Sequence, residues 1–257
     1  EAREMLIEAG CRLKENDVIQ IPNWIVEDCI RSAPSRITLY NRLGKEAMRL
    51  EANRIHYGMG TDLVQTYDLY TNELRQTTCS DIANAAKIAD ALEEIDFVGS
   101  YAIPFDAPNN MGYVDSFKAE LENSIKPIFY TAAGLEDIKI INEMAAAVVG
   151  GADILREKPI HVHYAEPLTP LTHTPGATKK LFYCADNHVP VNYTPGMMSG
   201  ATAPVTLAGA ITVGNAEALS GVVLHQLRSK GAPIVSGFGM STLDMKSSAC
   251  SYGCPEY

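Results

Sequence analysis

A chain of 257 residues with 46% hydrophobic and 20% charged residues holds enough apolar material for a sizeable core, which excludes a wholly disordered polymer. Lys+Arg number 21 against 31 Asp+Glu, a net charge of −10 with no basic run to neutralise phosphates, so nucleic-acid binding by bulk charge is disfavoured. The six Cys, at 11, 29, 79, 184, 250 and 254, are too few for a disulfide scaffold of this length and point to a reducing cytoplasm.

The first ten residues, EAREMLIEAG, read as an amphipathic helix already under way (Met5, Leu6, Ala9), and the closing SYGCPEY reads as a loop leaving a strand. The expectation is therefore a fragment, with no secretory leader and no membrane span. The most apolar run, Ala203 to Val223, is broken by Thr206, Gly209, Thr212, Asn215 and Glu217.

Residues 1–95 are expected to form an α and antiparallel β elaboration. Pro22 and Asn23 open a short helix that ends before Pro34. Segments 37–41, 47–52, 54–60 and 62–68 alternate and are punctuated by Gly44 and Gly58, predicting a β-meander. Thr78 and Asp81 have capping-box spacing ahead of a helix that places Ile82, Ala85, Ala89 and Leu92 on one face.

From residue 96 the period changes. Strand-like runs at 96–103, 127–133, 159–166, 189–194 and 232–238 alternate with helical patterns near 115–125, 136–149, 175–187 and 204–229. Thr174 and Pro175 are an N-cap and first-turn pair, and Gly150-Gly151 is a helix stop. The strands start about 34 residues apart, and eight such units need about 270 residues, the size of a (β/α)8 barrel. Residues 96–257 hold five of them. The expected fold is an α/β, TIM-type (β/α)8 barrel truncated after about five strands, with an open five-stranded sheet as the alternative. A barrel lacking strands exposes sheet edges, so the isolated chain is expected to aggregate.

Among the motifs, Gly58-Met59-Gly60 and Gly237-Phe238-Gly239 lack the third glycine of a dinucleotide fingerprint, at Leu63 and Thr242 respectively. His161-x-His163 puts two imidazoles on one strand face, with Glu166 just beyond; these three would serve a metal-dependent hydrolase, face a polar substrate, or simply pack in the core. Cys250 and Cys254 have no second pair to complete a zinc site. Tyr outnumbers Phe twelve to six, and several Tyr fall at predicted strand ends, where barrel sites lie. Such rings suit a quaternary or protonated amine. Strand-end position makes Tyr101, Tyr130, His163, Glu166, Tyr193 and Ser199 the candidate substrate-binding residues. Thr202 is expected to open the helix over 204–229, whose N-terminus would suit an anionic group.

Three stretches together are similar to the trimethylamine methyltransferase family of corrinoid-dependent enzymes: 22–42, 195–227 and 230–256. The second is the most specific, with Ser199, Gly200, Thr202, Ala203, Pro204, Asn215 and Glu217 matching the family pattern; Cys254 stands where a smaller residue is usual. The resemblance implies a (β/α)8 barrel that moves a methyl group from a methylated amine, trimethylamine or a quaternary amine such as glycine betaine, to Co(I) of a corrinoid. It implies that a separate corrinoid protein supplies that cofactor and that this chain binds none itself. It places the position that carries pyrrolysine in trimethylamine members, and with it the catalytic residues, beyond Tyr257. A homo-oligomer is expected. A non-catalytic module that binds the corrinoid protein or an amine is the further alternative.

Overall fold

The computed structural model describes residues 1–108 and 111–255; Glu256 of the third similar stretch, and Tyr257, lie outside them. In chain order the elements are α1 (Ala2–Glu8), β1 (Arg12–Leu13), β2 (Ile19–Gln20), α2 (Asn23–Ser32), β3 (Arg36–Tyr40), β4 (Glu46–Glu51), β5 (Gln65–Tyr67), β6 (Leu74–Gln76) and α3 (Cys79–Ala91). There follow β7 (Val98–Gly99), α4 (Gly112–Asn123), β8 (Ile128–Tyr130), α5 (Leu135–Val149), α6 (Ala152–Glu157), β9 (His161–Ala165) and α7 (Pro175–Asn187). The last are β10 (Val191–Tyr193), β11 (Gly196–Ser199), α8 (Leu207–Arg228), β12 (Ile234–Ser236), β13 (Gly239–Asp244) and β14 (Ala249–Ser251). The fold is mixed α/β with a five-stranded parallel sheet, each strand falling inside one of the five runs read from the sequence.

The chain divides into two compact units, one of Glu1–Pro34 with Ala165–Tyr257, the other of Ser35–Tyr164. In the second, β7, β8 and β9 pair in parallel. Ahead of them stand two antiparallel hairpins, β3–β4 and β5–β6. This corrects the predicted meander: the hairpins are separate two-stranded sheets, and 54–60 is not a strand. Instead the segment from Tyr57 to Leu63 runs along β7, bridging Gly58 to Phe97 and Leu63 to Ala102. Glycine at 58 is required by packing, because a Cβ there would lie 2.4 Å from the Phe97 ring. Hairpin β3–β4 is tied to the starts of β9 and β8, where Tyr40 N–H donates to Pro159 O and Arg42 N–H to Ile125 O. The Thr78–Asp81 capping box forms in both directions.

In the first unit, α8 is the central element. It is long and apolar enough to cross a membrane by length and composition alone, but it packs within its unit against α1, α2, α7, β10 and β12. Its buried face carries Glu217, His225 and Gln226 beside Val222, Val223 and Leu224. The unit's core joins these valines and leucine to Leu6, Ile25 and Cys29 of α1 and α2 and to Leu181, Phe182 and Cys184 of α7. α7 begins on the Thr174 cap with Pro175 in its first turn. Strands β11, β13 and β14 form a small mixed sheet that the sequence pattern did not show. α8 begins at Leu207, not near Thr202. All six cysteines are free thiols.

Candidate functional site

The parallel strands of Ser35–Tyr164 have two faces, and the register sorts their side chains. Val98, Ile128 and His161 share one row, Gly99, Phe129 and Val162 the next, and Tyr130 pairs with His163. Alternation therefore puts Ile128, Tyr130, His161 and His163 on one face. α4 covers that face. Its Phe117 ring stands edge-on to Tyr130 at 5.4 Å and to His161 at 5.8 Å, and Tyr130 lies 4.9 Å from His163. Tyr130, His161 and His163 are fully buried there. Nearby, Ser100 Oγ donates to Glu120 Oε1 at 2.9 Å. Burial lowers His161 to about 4 and raises Glu120 to about 8, so both are neutral near pH 7.

The opposite face carries half-buried rings. The Phe97 and Phe129 rings lie tilted to one another with centres 5.8 Å apart, and those of Phe129 and Tyr164 likewise at 5.6 Å, an aromatic row running from the residue before β7 to β9. One residue beyond the end of β8, Thr131 Oγ donates to Asp62 Oδ1 at 2.7 Å. The backbone of Asp62 is left-handed, with φ of 67°. It is held by Asp62 N–H to Ser100 O at 3.1 Å and Leu63 N–H to Tyr101 O at 2.9 Å. Tyr101 turns away from this group: its ring packs against Ile82, Ala102 and Ala119, and its hydroxyl reaches Thr66 Oγ1 at 3.4 Å.

In the other unit, Tyr193 packs toward α8, lying over Gly221, where a Cβ would come within 2.3 Å of Tyr193 Cδ1. Its hydroxyl bonds to His173 Nδ1 at 2.7 Å, and His173 Nε2 to Ser220 Oγ at 2.7 Å. Buried Glu217 holds the loop after β9, accepting from Thr169 Oγ1 at 2.9 Å and from the Leu171 amide. Glu166 is exposed just past β9, and a Cβ at Gly196 would lie 3.4 Å from its Oε2. Ser199 is buried at the end of β11, and its hydroxyl is spent on Pro204 O and Val205 O. Thr202 accepts from Met198 N–H at 2.9 Å. Both residues close the turn before α8 and neither caps it, which corrects the expected opening of the helix at Thr202.

Of the six candidate residues, Tyr101, Tyr130 and His163 thus lie in one unit and Glu166, Tyr193 and Ser199 in the other. Tyr130 and His163 meet, on the helix-covered face. The metal-hydrolase arrangement does not form. His161 and His163 are buried against aromatic rings while Glu166 sits outside the strand, and among the described residues no three His, Cys, Asp or Glu converge on a metal-binding geometry. Asp62, Thr131, His173 and Glu217 were not among the candidates. Asp62 follows two closely spaced glycines, the one local signal of an irregular backbone there.

These features define a class: a mixed α/β protein whose parallel strands carry helices on one face and, in Ser35–Tyr164, an aromatic row with a positioned carboxylate on the other. Comparison with known proteins narrows the class. The chain belongs to the trimethylamine methyltransferase (MTTB) family, whose model matches residues 1–257. It is 36% identical over 260 residues to trimethylamine methyltransferase MttB of Desulfitobacterium hafniense (strain DSM 10664 / DCB-2), covering 100% of this chain and 52% of that protein. It is 30% identical over 243 residues to glycine betaine methyltransferase of Desulfitobacterium hafniense (strain Y51), covering 94% and 50%. The MttB of Methanosarcina barkeri is 31% identical over 267 residues, covering 100% and 53%. The chain spans about half the length of these curated relatives.

Proposed function

We propose that the protein moves a methyl group from a methylated amine, trimethylamine or a quaternary amine such as glycine betaine, to the Co(I) corrinoid of a separate corrinoid protein. The observation that carries this is the family match along the whole chain, together with relatives named for both amines. The fold is in keeping with it. Five parallel strands, four of them followed by helices, are read as the first five units of a (β/α)8 barrel, with the remaining units and catalytic residues past Tyr257. A cytoplasmic homo-oligomer is part of the same reading.

When bound on its partner protein, the corrinoid supplies the nucleophile for the methyl group. The part left to this chain is to bind the amine, exclude water and hold the C–N bond in line for displacement. A fully substituted ammonium has no N–H to donate, so aromatic faces and a carboxylate are the groups that recognise it. The test is loss of the Co(I) absorbance when the full-length protein, with the units past Tyr257, is mixed with reduced corrinoid protein and each amine in turn. One methylated amine is expected to support transfer. Absence of transfer from every methylated amine overturns the proposal.

A further inference from the structure

We propose that hairpin β5–β6 is the surface through which two copies of this chain associate, its outward face packing on the same face of the other copy across a two-fold axis. This gives the homo-oligomer of the reading above its interface and rests on no step of methyl transfer. Three observations carry it.

The first is how the hairpin is sided. The register pairs Gln65 with Gln76, Thr66 with Arg75 and Tyr67 with Leu74. Alternation therefore puts Thr66 and Arg75 on one face and Gln65, Tyr67, Leu74 and Gln76 on the other. The first face is tied to its own unit. The Tyr101 hydroxyl donates to Thr66 Oγ1 at 3.4 Å, and the Arg75 guanidinium forks onto both oxygens of Asp81, in the first turn of α3, at 2.7 and 2.9 Å. On the second face Tyr67 and Leu74 are exposed.

The second is a tip that is fastened and yet bare. The Asp68 carboxylate accepts from the Tyr70 and Thr71 amides at 3.0 and 3.1 Å and from Arg75 Nε–H at 3.0 Å, and its own amide donates to Glu73 O at 2.9 Å. The turn so held presents Leu69 and Tyr70, 89% and 96% exposed. With the backbone already fixed, docking these side chains costs little further ordering. Leu63, Val64, Tyr67 and Leu74 continue the exposed apolar surface along the same hairpin. A patch of this kind marks a protein interface, and Tyr is among the side chains that carry most of the binding energy in one.

The third is what the patch fits. Across a two-fold axis a face meets itself, so a net charge on it repels. The chain carries −10, yet from 63 to 76 its charged residues are Asp68, Glu73 and Arg75 alone. Asp68 and Arg75 are paired with one another, and Glu73 falls in the phase of Arg75. The outward face is thus rings, aliphatics and two amides, uncharged and complementary to itself. A partner selected by charge finds nothing to read there. Its six large apolar side chains are each more than half exposed. Together they offer on the order of 800 Å², what one partner brings to a standard interface.

Analytical ultracentrifugation of the full-length protein tests this. Wild type is expected to associate, and L69A/Y70A to raise the dissociation constant about tenfold or more. I88A trims a side chain that is 58% exposed on α3, outside the hairpin, and is expected to leave association unchanged. All three sites are exposed, so the circular dichroism spectra are expected to coincide. A monomeric wild type, or association equal in wild type and L69A/Y70A, overturns the interface. So does a monomer that binds the corrinoid protein through Leu69 and Tyr70, which assigns the hairpin to that partner instead. Methyl transfer is followed on the same preparations. Transfer by a monomer removes the interface and leaves the function. Association that needs Leu69 and Tyr70, with no transfer from any amine, keeps the interface and removes the function.

Discussion

The Tyr193 hydroxyl donates to Nδ1 of His173 across 2.7 Å, and the groups behind His173 fix that direction. Ser220 spends its proton on the carbonyl of Glu217 at 2.9 Å, so its oxygen accepts from His173 Nε2–H. That leaves Nδ1 without a proton, ready to accept from Tyr193. The chain Tyr193, His173, Ser220, Glu217 is thus one directed relay of hydrogen bonds that holds a neutral imidazole.

Neutrality has a consequence for acid stability. Burial lowers His173 to about 4, against an ordinary value of 6.5. Between those values the unfolded chain holds a proton that the folded chain refuses, so the contribution is complete above pH 6.5 and is lost as pH falls toward 4. His173→Gln removes this dependence. The gap in unfolding free energy between wild type and H173Q is expected to narrow by about 2 kcal/mol from pH 6.5 to pH 5, measured by urea titration. A gap that stays constant with pH would show that the imidazole is protonated in the fold.

Two glycines of α8 face side chains of different stiffness. At Gly221 an added Cβ meets Tyr193 Cδ1 at 2.3 Å, and that ring is locked by the His173 bond. At Gly214 it meets Met197 Cε at 1.8 Å, the far end of a flexible chain. The closer clash is therefore the cheaper one. G221A is expected to cost about 1–3 kcal/mol, as overpacking does, and G214A less than about 1, with chemical denaturation as the readout. The reverse order would refute the argument from stiffness.

Glu217 acts on the loop after β9 rather than on the core. Its two oxygens accept from Thr169 Oγ1 and from the Leu171 amide. Glutamine at 217 keeps one acceptor and turns a donor toward the Thr169 hydroxyl. E217Q is expected to cost about 1–3 kcal/mol, the range for a buried hydrogen bond to a charged group. It is also expected to speed hydrogen exchange at Leu171. Unchanged protection there would mean that the loop is held by something else.

Why these residues escaped the sequence reading, when the strands did not, is a matter of phase. All five parallel strands are legible because each is a short apolar run, and four of the five are followed by a helical period. The short β11, β13 and β14 were not, since their Gly, Met and Ser residues carry no alternation. Alternation also correctly placed His161 and His163 on one face. It does not say which face is covered: in a parallel sheet both sides are apolar, and Tyr130 and Tyr164 read alike. The choice is made by Phe117 and Gly221, helix residues distant in sequence that take Tyr130 and Tyr193 to the helix side. Asp62 is set by a left-handed backbone in an irregular segment, which leaves no periodic trace. The Thr78–Asp81 box, by contrast, is purely local and was readable in full.

Lys126 closes the end of α3 from a distance. Its ammonium donates to Ala89 O at 2.7 Å and to Leu92 O and Ile95 O at 2.6 Å each. Carbonyls at a helix C-terminus have no partner within the helix, and a cation there also meets the negative end of the helix dipole. Methionine keeps the stem and removes all three donors. K126M is expected to cost about 1–3 kcal/mol and to fray the last turn of α3, seen as faster exchange at the Leu92 and Ile95 amides. A loss of stability without that local fraying would place the role of Lys126 elsewhere.

The unit Ser35–Tyr164 should respond to pH with the opposite sign at the alkaline side. Burial raises Glu120 from 4.5 to about 8, so between those values the folded chain holds a proton that the unfolded chain has lost. Stability from this carboxyl is complete below pH 4.5 and falls as pH rises toward 8. In the same unit His161, lowered to about 4, works the other way below pH 6.5, so the two nearly cancel there. From pH 6.5 to 8 Glu120 acts alone, and about one proton is released on unfolding. At 1.36 kcal/mol per pH unit this is a loss of about 2 kcal/mol. E120Q keeps an acceptor for the Ser100 hydroxyl and has no proton to lose. The His161 contribution is common to both proteins and cancels in their difference, so wild type is expected to lose ground to E120Q steadily from pH 4.5 to 8 in urea unfolding. Parallel curves from pH 6.5 to 8 would mean that Glu120 is already ionised in the fold, and that its second oxygen has a cationic partner.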